Sequence, residues 1–165
     1  MADEFELTEG KLHAKRLGRE LAMQFLFQCD LRGELPEMES WERFFEQMKE
    51  IYALHDNRFA RKSREYAELL FTCIVPHLEE VDKVIAEHSA NWDFERLSRV
   101  DRNIMRVAVY EMLFVADVPP VVSINEAVEI AIDYSGDRAG SFINGILNSI
   151  KNTLKRPARE ATESL

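Results

Sequence analysis

The sequence has too few cysteines and histidines to suggest metal or disulfide chemistry. Its two cysteines, Cys29 and Cys73, lie in no Cys-x-x-Cys or Cys/His spacing, and each falls within an apolar helical pattern. We therefore predict two buried free thiols. No spacing places two histidines on one helical face with a carboxylate; the four histidines are His13, His55, His77 and His88. We predict no metal site and no cofactor.

Long apolar runs are also absent. No stretch reaches the roughly 18 apolar residues that a membrane span needs, and the first ten residues lack the positive start and apolar core of a leader peptide. The sequence has no nucleophile paired with a base and no glycine-rich phosphate loop. We therefore expect a cytoplasmic protein that does not contact a membrane and is not an enzyme.

The sequence does contain enough apolar residues for a core. Of its 165 residues 46% are hydrophobic and 10% aromatic, which excludes global disorder and favours one compact domain. Helical periodicity occurs almost everywhere and strict alternation almost nowhere, so the predicted fold class is all-α. We expect a flexible acidic leader (1–10), a single helical domain (11–154) and a flexible tail (155–165). The predicted helices are 11–31, 38–54, 63–88, 94–97, 100–115, 123–134 and 141–154.

Local signals refine this list. Pro76 lies within the 63–88 pattern and should kink or divide it, because proline costs about 3 kcal/mol inside a helix. Ser98 with Asp101 three residues later is a capping signal, and Ser123 with Glu126 is a second one. The 100–115 helix is apolar on nearly every side, which predicts that it is the central helix of the fold.

The charge distribution matters more than its sum. A formal net charge of −9 argues against nucleic acid, since an acidic body repels phosphates. However, the cations form two basic islands, which can hold RNA locally while the acidic surface meets a basic protein. The first island is Lys11, Lys15, Arg16 and Arg19, and the second is Arg96, Arg99, Arg102 and Arg106.

The first island lies in the opening turns of a helix. Lys11, Lys15 and Arg19 follow an i, i+4, i+8 spacing and line one side of it. Cations there oppose the helix macrodipole at a cost of a few tenths of a kcal/mol each, which favours a functional explanation. The alternative is a solvated face balanced by Glu20 and the acidic leader.

The second island lies at the start of the central helix. Arg99, Arg102 and Arg106 are spaced i, i+3, i+7 and share a side. A guanidinium can stack on an unpaired base and bind a phosphate through two hydrogen bonds, which suits single-stranded RNA. We expect Arg102 to be a surface contact. Arg106 lies deepest in the apolar run and is either an RNA contact or a structural ion-pair residue.

Gly145 interrupts an apolar helix, where glycine costs about 1 kcal/mol relative to alanine. We predict that it allows close backbone approach in the core. A second interpretation is that Tyr134 and Phe142, which are nearby in the sequence, provide a ring platform for a base.

Five segments in this order resemble the NusB family, and together they run from about Lys11 to Leu154. They are Arg16-Leu-Gly-Arg-Glu-Leu-Ala22; Asn91-Trp92 with Leu97-Ser-Arg-Val-Asp-Arg-Asn-Ile-Met-Arg106; Ala108-Val-Tyr-Glu111; Pro119 through Ala131; and Phe142-Ile-Asn-Gly-Ile-Leu147. The segment from Gly33 to Lys62 looks longer and more acidic than is typical of the family, and no function is assigned to it.

The resemblance implies about seven helices in two packed three-helix bundles. It implies a transcription antitermination factor that binds the boxA RNA of ribosomal RNA operon transcripts. Its partners would be NusE, a small-subunit ribosomal protein, and the RNA polymerase antitermination complex. The RNA-binding residues that it implies, together with the basic stripe, are Lys11, Lys15, Arg16, Arg19, Phe27, Asp101, Arg102, Arg106, Tyr134 and Phe142.

A second function stays open, which is a helical module that binds proteins or forms a homodimer without contacting RNA. NusB-like domains also occur fused to RNA cytosine methyltransferases. We expect no such enzyme here, because the chain has no glycine-rich cofactor loop and no room for that domain.

Overall fold

A computed structural model describes residues 2–89, 94–163 and 165, with side chains from residue 14 onward. Within these ranges the fold is all-helical and contains no strand, which confirms the predicted class. Asn91 and Trp92 of the family-like motif lie outside the described residues. The α-helices are α1 (Ala2–Arg32), α2 (Met38–Ile51), α3 (Arg58–Ile74), α4 (Leu78–His88), α5 (Arg99–Phe114), α6 (Pro120–Ser135) and α7 (Asp137–Lys151), and two short 3₁₀ turns span Val75–His77 and Phe94–Arg96.

The chain divides into two compact units. The single domain over 11–154 stays a prediction. The amino-terminal unit is Met1–Val75 and the carboxyl-terminal unit is Pro76–Leu165. The amino-terminal unit holds three α-helices, as the resemblance implies. The carboxyl-terminal unit holds four, since α4 joins α5, α6 and α7.

Aromatic side chains form the core of the amino-terminal unit. The Phe25 ring lies edge-on to Trp41 and Phe71, with ring centroids 5.4 and 5.0 Å apart. The buried Trp41 Nε1 donates to Glu68 Oε1 at 2.7 Å, so its polar atom is satisfied inside the bundle. Gly18 lets α1 and α3 approach closely, because a Cβ atom there would lie 3.0 Å from the Ser63 carbonyl oxygen.

Two helices of this unit begin earlier than predicted. Helix α1 starts at Ala2, nine residues before the predicted start, in an acidic segment that the amino end of a helix dipole favours. The flexibility of the leader stays a prediction. Helix α3 starts at Arg58 because the Asn57 side chain accepts a hydrogen bond from the Ala60 amide at 2.9 Å. The predicted break at Pro76 is confirmed by the 3₁₀ turn Val75–His77.

Helix α5 is central in the carboxyl-terminal unit, as predicted. It contacts α4, α6 and α7, and every residue from 102 to 112 is buried. The capping signal at its start is also confirmed, since Ser98 Oγ accepts a hydrogen bond from the Asp101 amide at 3.0 Å.

The predicted helix cap at Ser123 is wrong. Helix α6 begins at Pro120, whose fixed φ suits a first turn, and Ser123 is buried inside the helix.

The explanation given for Gly145 is wrong as well. Gly145 is exposed, and a Cβ atom there would meet nothing within 4 Å. The close approach on α7 is at Gly140, where a Cβ atom would lie 2.6 Å from Ile132 Cγ1.

The described residues after Leu154 contain no helix, and several of them form hydrogen bonds with the connection between α5 and α6. The Arg156 guanidinium donates hydrogen bonds of 2.8–3.1 Å to four carbonyl oxygens at and after the end of α5. The Val121 amide donates to the Ala158 carbonyl, and the Thr162 amide donates to the Ala116 carbonyl. These contacts supply partners for carbonyl and amide groups that the helix ends leave unsatisfied. The sequence pattern gave no sign of them.

The thiols agree only partly with the prediction. Both cysteines are free, but Cys29 is buried and Cys73 is half-buried. Burial, assisted by the charge of Glu34, raises the pKa of Cys29 to about 11, so its thiol is protonated at neutral pH.

Candidate nucleic-acid interface

The described cations of the first basic island lie along α1, and two of them lie where α1 packs against α3. The Lys15 ammonium lies 5.3 Å from the centroid of the Tyr66 ring, and the Arg19 guanidinium lies 5.5 Å from it. Arg16 pairs with Glu20 one turn later, with Nε and Oε1 3.2 Å apart. The Lys11 side chain lies outside the described residues.

Burial divides this island. Arg19 is only 3% exposed, whereas Lys15 and Arg16 are half-buried. A buried guanidinium against an aromatic face stabilises the α1–α3 packing. Lys15 and Arg16 are therefore the described members of the island that retain surface for a ligand. Phe27, further along α1, is half-buried.

Arg102 does not lie at the surface, so that prediction is wrong. It is 5% exposed, and its guanidinium lies 4.7 Å from the centroid of the Phe94 ring. Its Nη2 donates to the carbonyl oxygens of Phe94 and Glu95 at 3.2 and 3.4 Å. Arg102 therefore holds the turn that precedes α5.

The structural alternative for Arg106 agrees with the geometry. Its Nε and Nη2 each donate to a different Asp82 carboxylate oxygen at 2.7 Å, and Nη1 donates to Asn103 Oδ1 at 3.0 Å. Arg106 is 7% exposed. A two-point pair of this kind joins α4 to α5, and the planar guanidinium provides the donors for it.

Asp101 lies in the first turn of α5 and is half-buried. Burial raises the pKa of its carboxyl group, and a hydrogen bond with the Ser98 side chain lowers it by less. Among the described residues, its buried Oδ1 has no hydrogen-bond partner. Asp101 thus keeps a buried acceptor that the described contacts leave unsatisfied.

The exposed cations of the second island are Arg96 and Arg99, which belong to the island but not to the RNA-binding residues that the resemblance implies. They lie at the surface, on either side of the Ser98 cap. Neither guanidinium forms an ion pair with any of the described residues. Both lie outside the apolar run that buries Arg102 and Arg106, and this position accounts for their exposure.

The ring residues of the last corner are accessible to different degrees. Tyr134, at the end of α6, is 43% exposed. Phe142, on α7, is half-buried. Between them, 135–138 are all exposed, and Gly136 takes a φ of 90° that joins α6 to α7 without a connecting loop. The corner therefore presents an aromatic ring beside exposed backbone.

Other chemistries find no support in the described ranges. No cluster of three or more histidine, cysteine or acidic side chains there could hold a metal ion. None of the helices described is long and apolar enough to cross a membrane.

The NusB family model matches residues 16–152. The transcription antitermination protein NusB of Desulfotalea psychrophila is 41% identical over 129 residues, which cover 74% of this chain and 84% of that protein. The corresponding protein of Pelotomaculum thermopropionicum is 41% identical over 125 residues, which cover 74% of this chain and 78% of that protein.

Solved structures agree. NusB of T. maritima superimposes with a TM-score of 0.69 and 31% identity, covering 87% of this chain and 92% of that one. A crystal structure of the antitermination factors NusB and NusE with double-stranded RNA gives a TM-score of 0.69 and 28% identity, covering 86% of this chain and 98% of that one. The chain therefore belongs to the NusB family of transcription antitermination proteins, which bind RNA and are not enzymes.

Proposed function

We propose that this protein binds boxA single-stranded RNA of ribosomal RNA operon transcripts as a heterodimer with NusE. It then acts in the cytoplasm within the RNA polymerase antitermination complex. The observation that carries this proposal is family membership over 16–152, a range that contains both basic islands except Lys11 and Lys15. The related structure of NusB with NusE and RNA supports the choice of partners.

The accessible groups of each unit suit single-stranded RNA. Lys15 and Arg16 supply cations for phosphates in the amino-terminal unit. Arg96 and Arg99 supply them in the carboxyl-terminal unit, where Tyr134 also supplies a ring on which a base can stack. Single-stranded RNA exposes base faces that a duplex keeps stacked. Arg102 and Arg106 act indirectly, since they position the turn and helix that carry Arg96 and Arg99.

The proposal predicts different outcomes for two neighbouring arginines. Arg99→Ala should weaken boxA RNA binding about fivefold near 0.1 M salt and leave the melting temperature unchanged, because it removes one exposed phosphate contact. Arg102→Ala should lower the melting temperature, because it removes contacts to Phe94 and Glu95 inside the fold. Fluorescence anisotropy with NusE present, together with circular dichroism melting, measures both effects.

The wild-type chain gives the decisive comparison. BoxA RNA should bind more tightly than its duplex form and more tightly when NusE is added. With four phosphates neutralised, the slope of log K against log salt should be about −3. Failure to bind even with NusE, or binding that does not respond to salt, would contradict the proposal. A mass measurement with and without RNA would then reveal whether the chain forms a homodimer instead.

A further inference from the structure

A third group of cations lies at the start of α3, outside both basic islands. Arg58, Arg61 and Lys62 are all exposed. They are followed by Arg64, which is bound to Glu42 and Glu68 and lies over the Phe45 ring, so that Arg64 has a structural role. We call the first three residues the α3 patch. They end the segment that otherwise looks acidic.

The α3 patch is costly for the helix that carries it. The first turn of α3 contains no acidic residue to balance the macrodipole, and three cations lie within its first five positions. Cations at a helix amino end reduce stability by a few tenths of a kcal/mol each. Lys62 pairs with Glu65 three residues later, with Nζ and Oε2 3.3 Å apart, whereas the described residues form no ion pair with Arg58 or Arg61. In a chain of net charge −9, two exposed arginines without a described carboxylate partner favour an anionic ligand.

A groove links the α3 patch to α1. It has a volume of about 390 Å³ and is lined by Ala14 and Lys15 of α1 and by Lys62, Glu65, Tyr66 and Leu69 of α3. Its lining is mostly apolar, and its charged members are Lys15, Lys62 and Glu65, of which the last two pair with each other. Leu69 is 47% exposed, and it lies on the same helical face as the exposed Arg58 and Lys62. The groove therefore combines an apolar surface with cations on two sides.

We propose that the α3 patch and this groove form an additional RNA-binding subsite. A base lies in the groove against Leu69 and the edge of Tyr66, and the adjacent phosphates contact Lys15, Lys62 and the arginines of the patch. A polyanion with flat apolar bases satisfies both features, whereas an acidic peptide satisfies only the charges. The inference rests on the proposed function, because it extends the RNA-binding surface from α1 onto α3.

The first test removes the α3 patch. The variant Arg58→Ala/Arg61→Ala/Lys62→Ala should bind a fluorescein-labelled 16-nucleotide uridine oligomer about 10- to 100-fold more weakly near 0.1 M salt. The slope of log K against log salt should become shallower by about 2, since each single-strand phosphate contact contributes about 0.7. The melting temperature should stay equal or rise, because cations are removed from a helix amino end.

The matched control removes the same charge from elsewhere in the amino-terminal unit. Arg32→Ala/Arg43→Ala/Lys49→Ala also deletes three cations, two of which pair with neighbouring glutamates. This control should lose much less affinity than the patch variant. If both variants lose affinity and slope equally, only net charge matters and the subsite is overturned.

The second test separates base from phosphate. Leu69→Ser should weaken binding of the uridine oligomer about threefold or more and leave binding of inorganic polyphosphate, which has no bases, unchanged. Leu35→Ser, at another exposed leucine of the unit, should change neither. Equal effects on both probes would contradict a base in the groove. Binding of polyglutamate as tightly as RNA, lost equally in the patch variant, would indicate a protein ligand and overturn the proposal.

The two proposals fail in different ways. If the wild-type chain does not bind boxA RNA with NusE present, the proposed function fails. If the wild-type chain binds and the patch variant behaves as the control does, the α3 subsite alone is excluded.

Discussion

Three of the arginines that the sequence marks as RNA contacts are 3–7% exposed, namely Arg19, Arg102 and Arg106. Each makes specific contacts in the fold, with an aromatic ring, carbonyl oxygens or the Asp82 carboxylate. Buried arginines are rare unless they are paired, so these side chains stabilise the surface on which Lys15 or Arg99 is displayed. A loss of RNA binding after their substitution is informative only when stability is measured as well.

Asp101 should make stability depend on pH. Burial raises its pKa above the unfolded value, so the folded state binds its proton more tightly. Its ionisation therefore opposes folding at neutral pH, and this effect disappears as pH falls through the raised folded pKa toward the ordinary value of about 4. Asp101→Asn should be more stable than wild type at pH 7, and the difference should shrink toward pH 3.5. Urea unfolding at several pH values measures it.

Asp101→Ser provides the control, because it is also neutral at every pH and should show the same trend. Titrations that the variants share with wild type cancel in the comparison. An advantage of the neutral variants that grows as the solution becomes more acidic would show that the sign is wrong.

Spacing predicts which arginines share a helical face but not which face is covered. The Asp82 partner of Arg106 lies 24 residues earlier in the chain, and no local pattern indicates that pairing. The burial of Arg102 could have been anticipated, because it lies beside the apolar run of α5. Arg58, Arg61 and Lys62 were missed because they end a segment that is acidic on average.

At the level of elements, apolar periodicity predicted the existence of the helices and the central place of α5. Strong local chemistry predicted the break at Pro76 and the cap at Ser98. The starts of α1, α3, α6 and α7 were missed, because an acidic leader, the Asn57 cap, Pro120 and the turn at Gly136 decide them and not the apolar pattern. The hydrogen bonds of Arg156, Ala158 and Thr162 join them to residues about 40 positions earlier in the chain and could not be predicted from periodicity.

Two glycines of α7 should respond oppositely to alanine. Gly145→Ala should stabilise the protein by about 1 kcal/mol, because the site is open and alanine favours helix. Gly140→Ala should destabilise it by about 1 kcal/mol, because the clash with Ile132 costs about 2 kcal/mol and outweighs the same gain. Thermal and urea unfolding of both variants measure these changes.

A double variant identifies the cause. In an Ile132→Ala background the clashing atoms are absent, so Gly140→Ala should become stabilising by about 1 kcal/mol. If Gly140→Ala remains destabilising there, contact with Ile132 does not explain the glycine.

Across the whole molecule, RNA must approach an acidic protein. The formal net charge is −9, and the cations occupy a few short stretches of the sequence. The average charge therefore repels a polyanion at long range, while the basic stretches attract it at short range. Added salt shortens the range of this repulsion, since the Debye length falls from about 30 Å at 0.01 M to about 8 Å at 0.15 M.

This competition predicts a kinetic effect of carboxylates outside the proposed RNA-binding residues. Glu34, Glu37 and Glu50 are exposed, and changing all three to glutamine raises the formal net charge from −9 to −6. The variant should associate with labelled boxA RNA several times faster than wild type at 0.01 M salt, with nearly the same dissociation rate. At 0.15 M salt the two association rates should converge. Stopped-flow anisotropy measures both rates, and Leu35→Gln, between Glu34 and Glu37, is the control substitution that leaves the charge unchanged. Equal association at low salt, or a gain confined to slower dissociation, would show that long-range repulsion by the acidic body does not govern the encounter.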